Sequence, residues 1–411
     1  MGTILCGIDW ASDHHDAALI DPEGNKLGRR RISDDATGLG ELTAMFAAHG
    51  AGPGTVKIAI ETERGLLVAS LRAAGYEIYA INPKAVDRYR DRHHLARGKS
   101  DAADAMVLAH ILRTDAHLHR PLPADSAKAQ AIEVLARAHQ DLVWSRQHEV
   151  NRLRSLLAGY YPAALAAFGD LTTRTAMTVL AAAPAPAQAT RLTLEGLLDL
   201  LAAAGRGRRH SEARRLAAVF AAPQMRQPAE VEQAMGDAAT AITGTITAMN
   251  AGIAALQQRI DANFEQHPDA AIYHSMPALG SILSARVLGE FGDDRTRWPD
   301  PASRRAYAGS APITRASGKK RVVLARFIRN RRLYDAVRWW AFAALSTSPG
   351  ARACYDQRRA AGDSHEAALR RLASKLIGQL HHCLEHRVLY DEATAWNQPE
   401  NRSNPASPAA A

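Results

Sequence analysis

The sequence predicts an α/β N-terminal region with a mixed sheet and flanking helices, followed by regions that are mostly α-helical. Short apolar stretches alternate with helical patterns in the first third, and two long stretches with apolar residues at helical spacing occupy the middle. We therefore expect a first domain at 1–120, a coiled-coil-like helical arm at 125–265, a mostly α-helical domain at 270–395 and a disordered Pro-, Ser- and Ala-rich tail at 397–411.

The elements of the first domain are predicted in the order three strands, helix, strand, helix, strand and two helices. A hairpin-rich start followed by alternating strands and helices favours a mixed sheet with helices packed on it. The predicted strands are 3–8, 16–21, 26–32, 56–60 and 77–81, and the predicted helices are 37–48, 65–74, 83–95 and 101–113.

Two long helices are predicted in the arm, at 127–160 and 228–264. Their apolar residues recur mostly every three, four or seven positions, which is suited to antiparallel pairing of the two helices. Between them, 181–189 is Ala- and Pro-rich and predicts a turn, and 192–204 predicts a short helix.

The charge of the chain indicates a polyanionic partner. The formal net charge is +9, and Arg supplies most of the positive charge. Guanidinium groups match phosphate oxygens bidentately and stack on bases, which suits nucleic acids. A basic enzyme whose Ala and Arg excess follows from codon usage is the alternative.

The cysteine and hydropathy patterns indicate the cellular compartment in which we expect the protein. The three cysteines are scattered without metal-ligand spacing, so neither a disulfide scaffold nor a zinc site is indicated. No uncharged apolar run is expected to reach the roughly 20 residues that span a bilayer. We therefore expect a soluble, cytoplasmic protein with no membrane partner.

Four acidic residues are candidate metal ligands. Asp9 and Glu61 each follow an apolar strand, and Asp101 and Asp104 share one face at the start of a helix. Carboxylates from two strand ends and one helix suit Mg²⁺ (or Mn²⁺) and phosphoryl transfer. The alternative is structural: Ser100 caps a helix with an acidic first turn, and the other two acids end strands in turns.

The last third carries candidate phosphate contacts and a Ser-Gly pair. The stretch 276–285, with Gly280, resembles the turn of a helix-hairpin-helix, in which backbone N–H groups face a phosphate, although a tight turn between packed helices is equally compatible. Ser317-Gly318 is by itself typical of a turn. The expected nucleic-acid contacts are Lys99, Gly280, Lys319, Lys320, Arg321, Arg326, Arg329, Arg331 and Arg332.

Five sequence blocks together carry a family resemblance. The blocks are Gly7-Ile8-Asp9, Ile58-Ala59-Ile60-Glu61-Thr62, Ile81-Asn82-Pro83, Lys99-Ser100-Asp101-Ala102-Ala103-Asp104-Ala105, and Ala308-Gly309 with Pro312 and Ser317-Gly318. They resemble those of the DEDD transposases, the insertion-sequence transposases related to the Piv and MooV DNA invertases. Where that family usually shows Glu-Ala-Thr-Gly, this chain has Glu61-Thr62-Glu63-Arg64-Gly65.

The resemblance implies a RuvC-like, RNase H-type first domain in which Asp9, Glu61, Asp101 and Asp104 bind metal. It further implies that Ser317 is a nucleophile that forms a covalent link to DNA. Donor and target DNA, a guide (bridge-type) non-coding RNA and a homo-oligomer, dimer or tetramer, are the implied partners, and the helical arm would support self-association and grip nucleic acid.

Three other functions share some of these sequence features. Gly-Ile-Asp also begins the actin-like sugar kinases, but Asp9 is followed by Trp10-Ala11-Ser12-Asp13-His14, without the glycine of a phosphate loop. A metal-dependent nuclease or junction resolvase would use water, with Ser317 structural. A transposase relic would bind nucleic acid without cleaving it.

Overall fold

The computed structural model describes residues 2–93, 101–207, 209–318 and 320–397, and the chain divides into two compact units, Met1–Ala124 and Asp125–Ala411. We refer to them as unit 1 and unit 2. The finer division of unit 2 into an arm and a C-terminal domain stays a prediction, and the predicted tail beyond residue 397 lies outside the described residues.

Unit 1 contains a five-stranded mixed sheet, as predicted. Its strand order is β3-β2-β1-β4-β5, with β1 antiparallel to β2 and parallel to β4. The strands are β1 Ile4–Trp10, β2 His14–Ile20, β3 Lys26–Ser33, β4 Val56–Ile60 and β5 Glu77–Ala80. The helices are α1 Ala36–Ala47, α2 Leu66–Ala73, α3 Pro83–His93 and α4 Asp101–Asp115, followed by a 3₁₀ turn at Ala116–Leu118.

Alternation along β1 gives the sheet two covered faces. Ile4, Cys6 and Ile8 point to one side, where they pack in a core with residues of α1 and α2. Leu5 points to the other side, into a core shared with α3 and α4. Because successive strand residues face opposite ways, Asp9 continues the face of Leu5, which is the face that α4 covers.

Unit 2 is mostly helical, as predicted. It also contains a two-stranded hairpin that was not predicted, β6 Ile313–Ser317 and β7 Lys320–Leu324. The helices are α5 Ala127–Tyr160, α6 Pro162–Ala167, α7 Arg174–Ala182, α8 Pro186–Ala189, α9 Leu194–Ala203, α10 Arg209–Ala221, α11 Ala229–Phe264, α12 Ala270–Ser275, α13 Ser281–Phe291, α14 Pro301–Tyr307, α15 Arg331–Ala344, α16 Pro349–Ala360, α17 His365–His386 and α18 Glu392–Asn397, with a 3₁₀ turn at Arg295–Arg297.

The two long helices pair antiparallel, as their patterns predicted. Lys128 near the start of α5 donates to Gln266 just beyond the end of α11, and Arg146 in the middle of α5 donates to Asn250. One turn of the predicted loop at 181–189 is instead helical, because Pro186 occupies the first turn of α8 and the Gln188 side chain accepts from the Ala185 N–H.

The helix α11 is long and apolar enough, by length and composition alone, to cross a membrane. The expectation that no stretch reaches this length was therefore wrong, because Ala and Thr fill long uncharged parts of this helix. In the structure α11 packs beside α5, and its residues Ile246, Ile253 and Ile260 are buried. The length and apolar composition of α11 suit pairing with another helix as well as they suit crossing a membrane.

Candidate active site

Asp9 and Glu61 lie at the same edge of the sheet. The parallel strands β1 and β4 pair through Ile8 and Ile60, and each acid is the next residue along its strand. Both side chains are partly exposed. Glu61 directly follows β4 as predicted, whereas Asp9 lies inside β1, because pairing with β2 extends that strand to Trp10. The strand register places the two acids on neighbouring strands, and their joint role in binding metal stays a prediction.

The helix α4 runs antiparallel to β1 and brings its first turns to this edge. A Cβ on Gly7 would lie 1.9 Å from the Ala105 carbonyl oxygen, so the helix touches the strand backbone there. At the other end, a Cβ on Gly24, in the turn after β2, would lie 3.2 Å from Arg113 Nε. The N-terminal end of α4 therefore lies over the carboxyl end of β1, beside Asp9.

Asp104 lies in this N-terminal part of α4 and is buried, with 5% of the residue exposed. Its carboxylate accepts a hydrogen bond from Arg90 of α3, with an Arg90 Nη2–Asp104 Oδ1 distance of 2.6 Å. Arg90 also pairs with Asp87, one turn earlier on α3, at 3.3 Å. A carboxylate this deeply buried requires such a cation or a metal ion.

Asp101 is the first residue of α4 and precedes Asp104 by three residues, which is about 4.5 Å along the helix axis. Its side chain, together with Lys99 and Ser100, lies outside the described part of the chain. Among the described side chains, no group of three or more His, Cys, Asp or Glu stands close enough to hold a metal ion. The donor chemistry nevertheless fits a hard divalent cation, and the Arg90 guanidinium is a cation already held by Asp104.

Two neighbouring charged residues were not anticipated. Arg90 lies in a predicted helix rich in Arg and His, but no spacing signal links it to Asp104. Asp16 of β2 lies directly across from Asp9 and is buried, and Arg31 donates two hydrogen bonds to its Oδ2, at 2.7 and 3.1 Å. Asp16 begins a predicted strand, but nothing in the sequence indicates that it lies opposite Asp9 or pairs with Arg31.

Ser317 lies at the tip of the β6–β7 hairpin, in unit 2. It ends β6 opposite Lys320, and Gly318 follows with φ of 56°, a left-handed conformation that favours glycine at this turn. The serine is exposed, and within the described residues its hydroxyl makes no hydrogen bond. By contrast, the hydroxyls of Ser303, Ser310 and Ser346 donate to nearby backbone carbonyl oxygens.

The predicted nucleic-acid contacts differ in their surroundings. Arg321 and Arg331 are exposed, whereas Arg326 and Arg329 are partly buried. Arg332 forms an ion pair with Asp141 of α5 at 2.7 Å, so much of its charge is already neutralised. Lys319 and the side chain of Lys320 lie outside the described residues.

Gly280 precedes α13 in a short turn after α12. It is exposed, and no atom lies within 4 Å of the position a Cβ would take. Two hydrogen bonds to its backbone carbonyls fix the turn. Trp340 Nε1 donates to the Pro277 carbonyl at 2.9 Å, and Ser284 Oγ donates to the Leu279 carbonyl at 3.0 Å. The turn therefore has an open outer side, and its contact with phosphate stays a prediction.

Comparison with known proteins gives the family. Residues 6–162 match the IS110-type DEDD model described as "Transposase", and residues 270–356 match a model described as "Transposase IS116/IS110/IS902 family". The "Mini-circle putative transposase for IS117" of Streptomyces coelicolor is 50% identical over 400 residues, which cover 96% of this chain and 97% of that protein.

A second relative from the same organism is the "Insertion element IS110 uncharacterized 43.6 kDa protein". It is 29% identical over 409 residues, which cover 94% of this chain and 95% of that protein. The two family matches include the strand-end acids, the α4 acids and the Ser-Gly hairpin. The chain belongs to the IS110 family of DEDD insertion-sequence transposases.

Proposed function

We propose that this DNA transposase breaks and rejoins DNA through a covalent Ser317–DNA intermediate, assisted by Mg²⁺ at Asp9, Glu61, Asp101 and Asp104 and guided by a structured RNA. The observation that carries the proposal is the convergence of Asp9, Glu61 and the start of α4 on one edge of the sheet. These residues come from three separate parts of the sequence, and helix capping or turn formation does not require them to meet.

The metal part of the proposal rests on the chemistry of these side chains. Transposases of this family generally use divalent metal ions. A divalent ion held by these carboxylates would offset the negative charge that develops on the scissile phosphate. Asp104 pairs with Arg90 at 2.6 Å, so a divalent ion bound by the same carboxylate oxygen would have to displace the guanidinium.

The covalent part of the proposal rests on the position of Ser317. Its Oγ would form a bond to phosphorus while the bond from phosphorus to the leaving 3′-oxygen breaks; the hydroxyl proton passes to solvent and the 3′-oxygen gains a proton. Rejoining reverses these changes with a new 3′-hydroxyl as nucleophile. An exposed serine on a hairpin tip is accessible to a duplex, whereas Ser310 is buried.

The nucleic-acid part of the proposal rests on charge. Exposed Arg321, which pairs with Ala316 across the hairpin, would contact phosphate oxygens and hold the scissile phosphate in place, and exposed Arg331 would add a further phosphate contact. The net charge of +9 is sufficient to attract both DNA and a guide RNA. Because strand exchange joins donor and target DNA, at least two protomers would act together.

The test is to express the chain with its native flanking DNA and to look for protein-linked DNA on a denaturing gel. The wild type, Ser317→Ala and Asp9→Asn are compared with Mg²⁺ and with chelator. Ser346→Ala is the matched control, since Ser346 is also exposed but donates to a backbone carbonyl in α15. We expect an adduct for the wild type and the control only, and only with metal.

Two outcomes would contradict the proposal. Cleaved DNA without adduct, unchanged by Ser317→Ala, would identify a nuclease that uses water. An adduct that persists in Asp9→Asn or in chelator would retain the serine chemistry but remove the acidic edge of unit 1 from the reaction.

A further inference from the structure

Two large apolar side chains stand next to each other on the surface of unit 2. Phe327 and Ile328, in the loop between β7 and α15, are 81% and 92% exposed. Ile328 is the most exposed of the large apolar residues in the described part of the chain. Single exposed apolar residues are common, but an adjacent pair at this exposure favours a binding role.

The loop that carries this pair is anchored on both sides. Arg329 Nη1 donates to the Arg326 carbonyl at 2.9 Å, which closes the backbone around residues 327 and 328. The Arg329 guanidinium lies 3.4 Å from the centre of the Tyr334 ring, and its stem packs against Gly309. The two apolar side chains therefore project from a fixed support.

The next residue ties the loop to the core of unit 2. The Asn330 N–H donates to the Tyr307 carbonyl at 3.2 Å, and Asn330 Nδ2 donates to Glu290 Oε2 at 2.6 Å. Glu290 is buried and receives two further hydrogen bonds from Arg137 of α5, at 2.7 and 2.8 Å. The hydrogen bonds of Asn330 to Tyr307 and Glu290 therefore fix the loop in the conformation that exposes Phe327 and Ile328.

The charge around the pair identifies its partner. Residues 308–334 contain eight Lys or Arg and no Asp or Glu. A second copy of this chain, with its net charge of +9, would be repelled by such a segment, whereas the phosphates of DNA would be attracted. Apolar side chains flanked by cations are the means by which DNA-bending proteins unstack a base step.

We propose that Phe327 and Ile328 form an apolar wedge that inserts between adjacent base pairs of the DNA substrate and unstacks them. Exposed cations of this segment, among them Arg321 and Arg331, contact the phosphates, and Arg329 anchors the loop that holds the two apolar side chains against the base step. Phe327 lies ten residues along the chain from Ser317, in the loop that follows β7 of the hairpin. An opened step gives access to bases in a duplex that is about to be broken.

The test measures base unstacking directly and needs no cleavage. Full-length protein is titrated into short duplexes from the native element end, with 2-aminopurine placed at successive positions along the set. Unstacking raises the fluorescence of 2-aminopurine, and anisotropy of a labelled duplex reports binding. Wild type should raise the fluorescence severalfold at one step.

The double variant with Phe327→Ser and Ile328→Ser should lose this rise and bind about tenfold more weakly. Phe327→Trp should retain the rise, because it preserves a large apolar side chain. Met225→Ser is the matched control, since Met225 is 88% exposed elsewhere in unit 2, and it should behave as wild type. Ser317→Ala should also retain the rise, so the wedge is tested separately from the nucleophile.

Three results would overturn the inference. One is a wild-type protein that raises the fluorescence at no position of the duplex set. Another is a rise that survives the double substitution at saturating protein. The third is a double variant that sediments as a smaller assembly than wild type with the fluorescence rise unchanged, which would identify the pair as a contact between protein chains.

Discussion

Arg90→Gln tests whether the Arg90 guanidinium competes with a divalent ion for Asp104. The Arg90 Nη2–Asp104 Oδ1 distance is 2.6 Å, and the two side chains are 17% and 6% exposed. Gln has no charge, so the variant leaves a buried carboxylate without its cation. We expect the variant to be less stable than wild type without metal, and to bind Mn²⁺ more tightly.

The size of the effect follows from the burial of the pair. Removing one partner of a buried ion pair costs about 3–5 kcal/mol, and solvent screening of the partly exposed arginine reduces this to about 2–4 kcal/mol. If an ion no longer has to displace the guanidinium, about 3 kcal/mol is recovered on binding, which is roughly a hundredfold in Kd. The same loss should lower the Tm of unit 1 by roughly 10 °C.

Two measurements on the purified protein check this prediction. Free Mn²⁺ is counted by electron paramagnetic resonance during titration of wild type and Arg90→Gln. Thermal unfolding by circular dichroism, with and without Mn²⁺, reports the stability that the ion restores. Mn²⁺ should raise the Tm of Arg90→Gln more than that of wild type, because only the variant has an uncompensated carboxylate.

Arg226→Gln is the matched control, since Arg226 donates two hydrogen bonds of 2.6 Å to the buried Glu232 in unit 2. It should lower stability without any recovery on addition of Mn²⁺. The reasoning would be refuted if Arg90→Gln bound Mn²⁺ no more tightly than wild type. If Asp9→Asn also left Mn²⁺ binding unchanged, the edge of the sheet would not be the metal site at all.

Two further predictions concern stability. Gly7→Ala should destabilise unit 1 by about 2–3 kcal/mol in urea unfolding, because its Cβ would lie 1.9 Å from the Ala105 carbonyl oxygen. As a control, Gly40→Ala in α1 places its Cβ in open space and should stabilise the protein by about 0.5–1 kcal/mol. Equal effects of the two substitutions would contradict the close approach of α4 to β1. Burial alone would raise the pKa of Glu290, but the hydrogen bonds from Arg137 and Asn330, together with the charges of Arg137 and Arg332, outweigh it and hold the pKa below its ordinary value of 4.5. This stabilisation is complete above about pH 4.5 and is lost as the pH falls through the folded-state pKa, so Glu290→Gln should have a Tm that changes less than that of wild type between about pH 5 and 3 in circular dichroism melts.

The sequence was sufficient for features whose signal is local or periodic. The helix α5 was predicted at its observed bounds because its apolar residues recur at helical spacing, and the structure adds Ser126 as its N-cap. The meeting of Asp9 and Glu61 was also predictable, since the carboxyl ends of neighbouring parallel strands share an edge. Both inferences needed only the chain direction and the spacing of residues.

Features that depend on tertiary contacts were not predictable. The hairpin β6–β7 has no buried face, and Val322 and Val323 are both exposed, so its strands lack the alternation that identifies a strand. The pairing of Arg90 with Asp104 joins two helices separated by undescribed residues, and no spacing rule connects them. Such contacts are fixed by how elements pack, which a single sequence does not specify.

The helical arm and the basic loop of unit 2 are linked by buried charge. Glu290 of α13 accepts from Arg137 of α5 and from Asn330, the N-cap residue of α15. One turn along α5, Asp141 pairs with Arg332 at 2.7 Å. One contact of α5 thus reaches Asn330 through Glu290, and the other holds Arg332 directly. A displacement of α5 along its axis would break both, so the position of α5 helps to set the orientation of the loop.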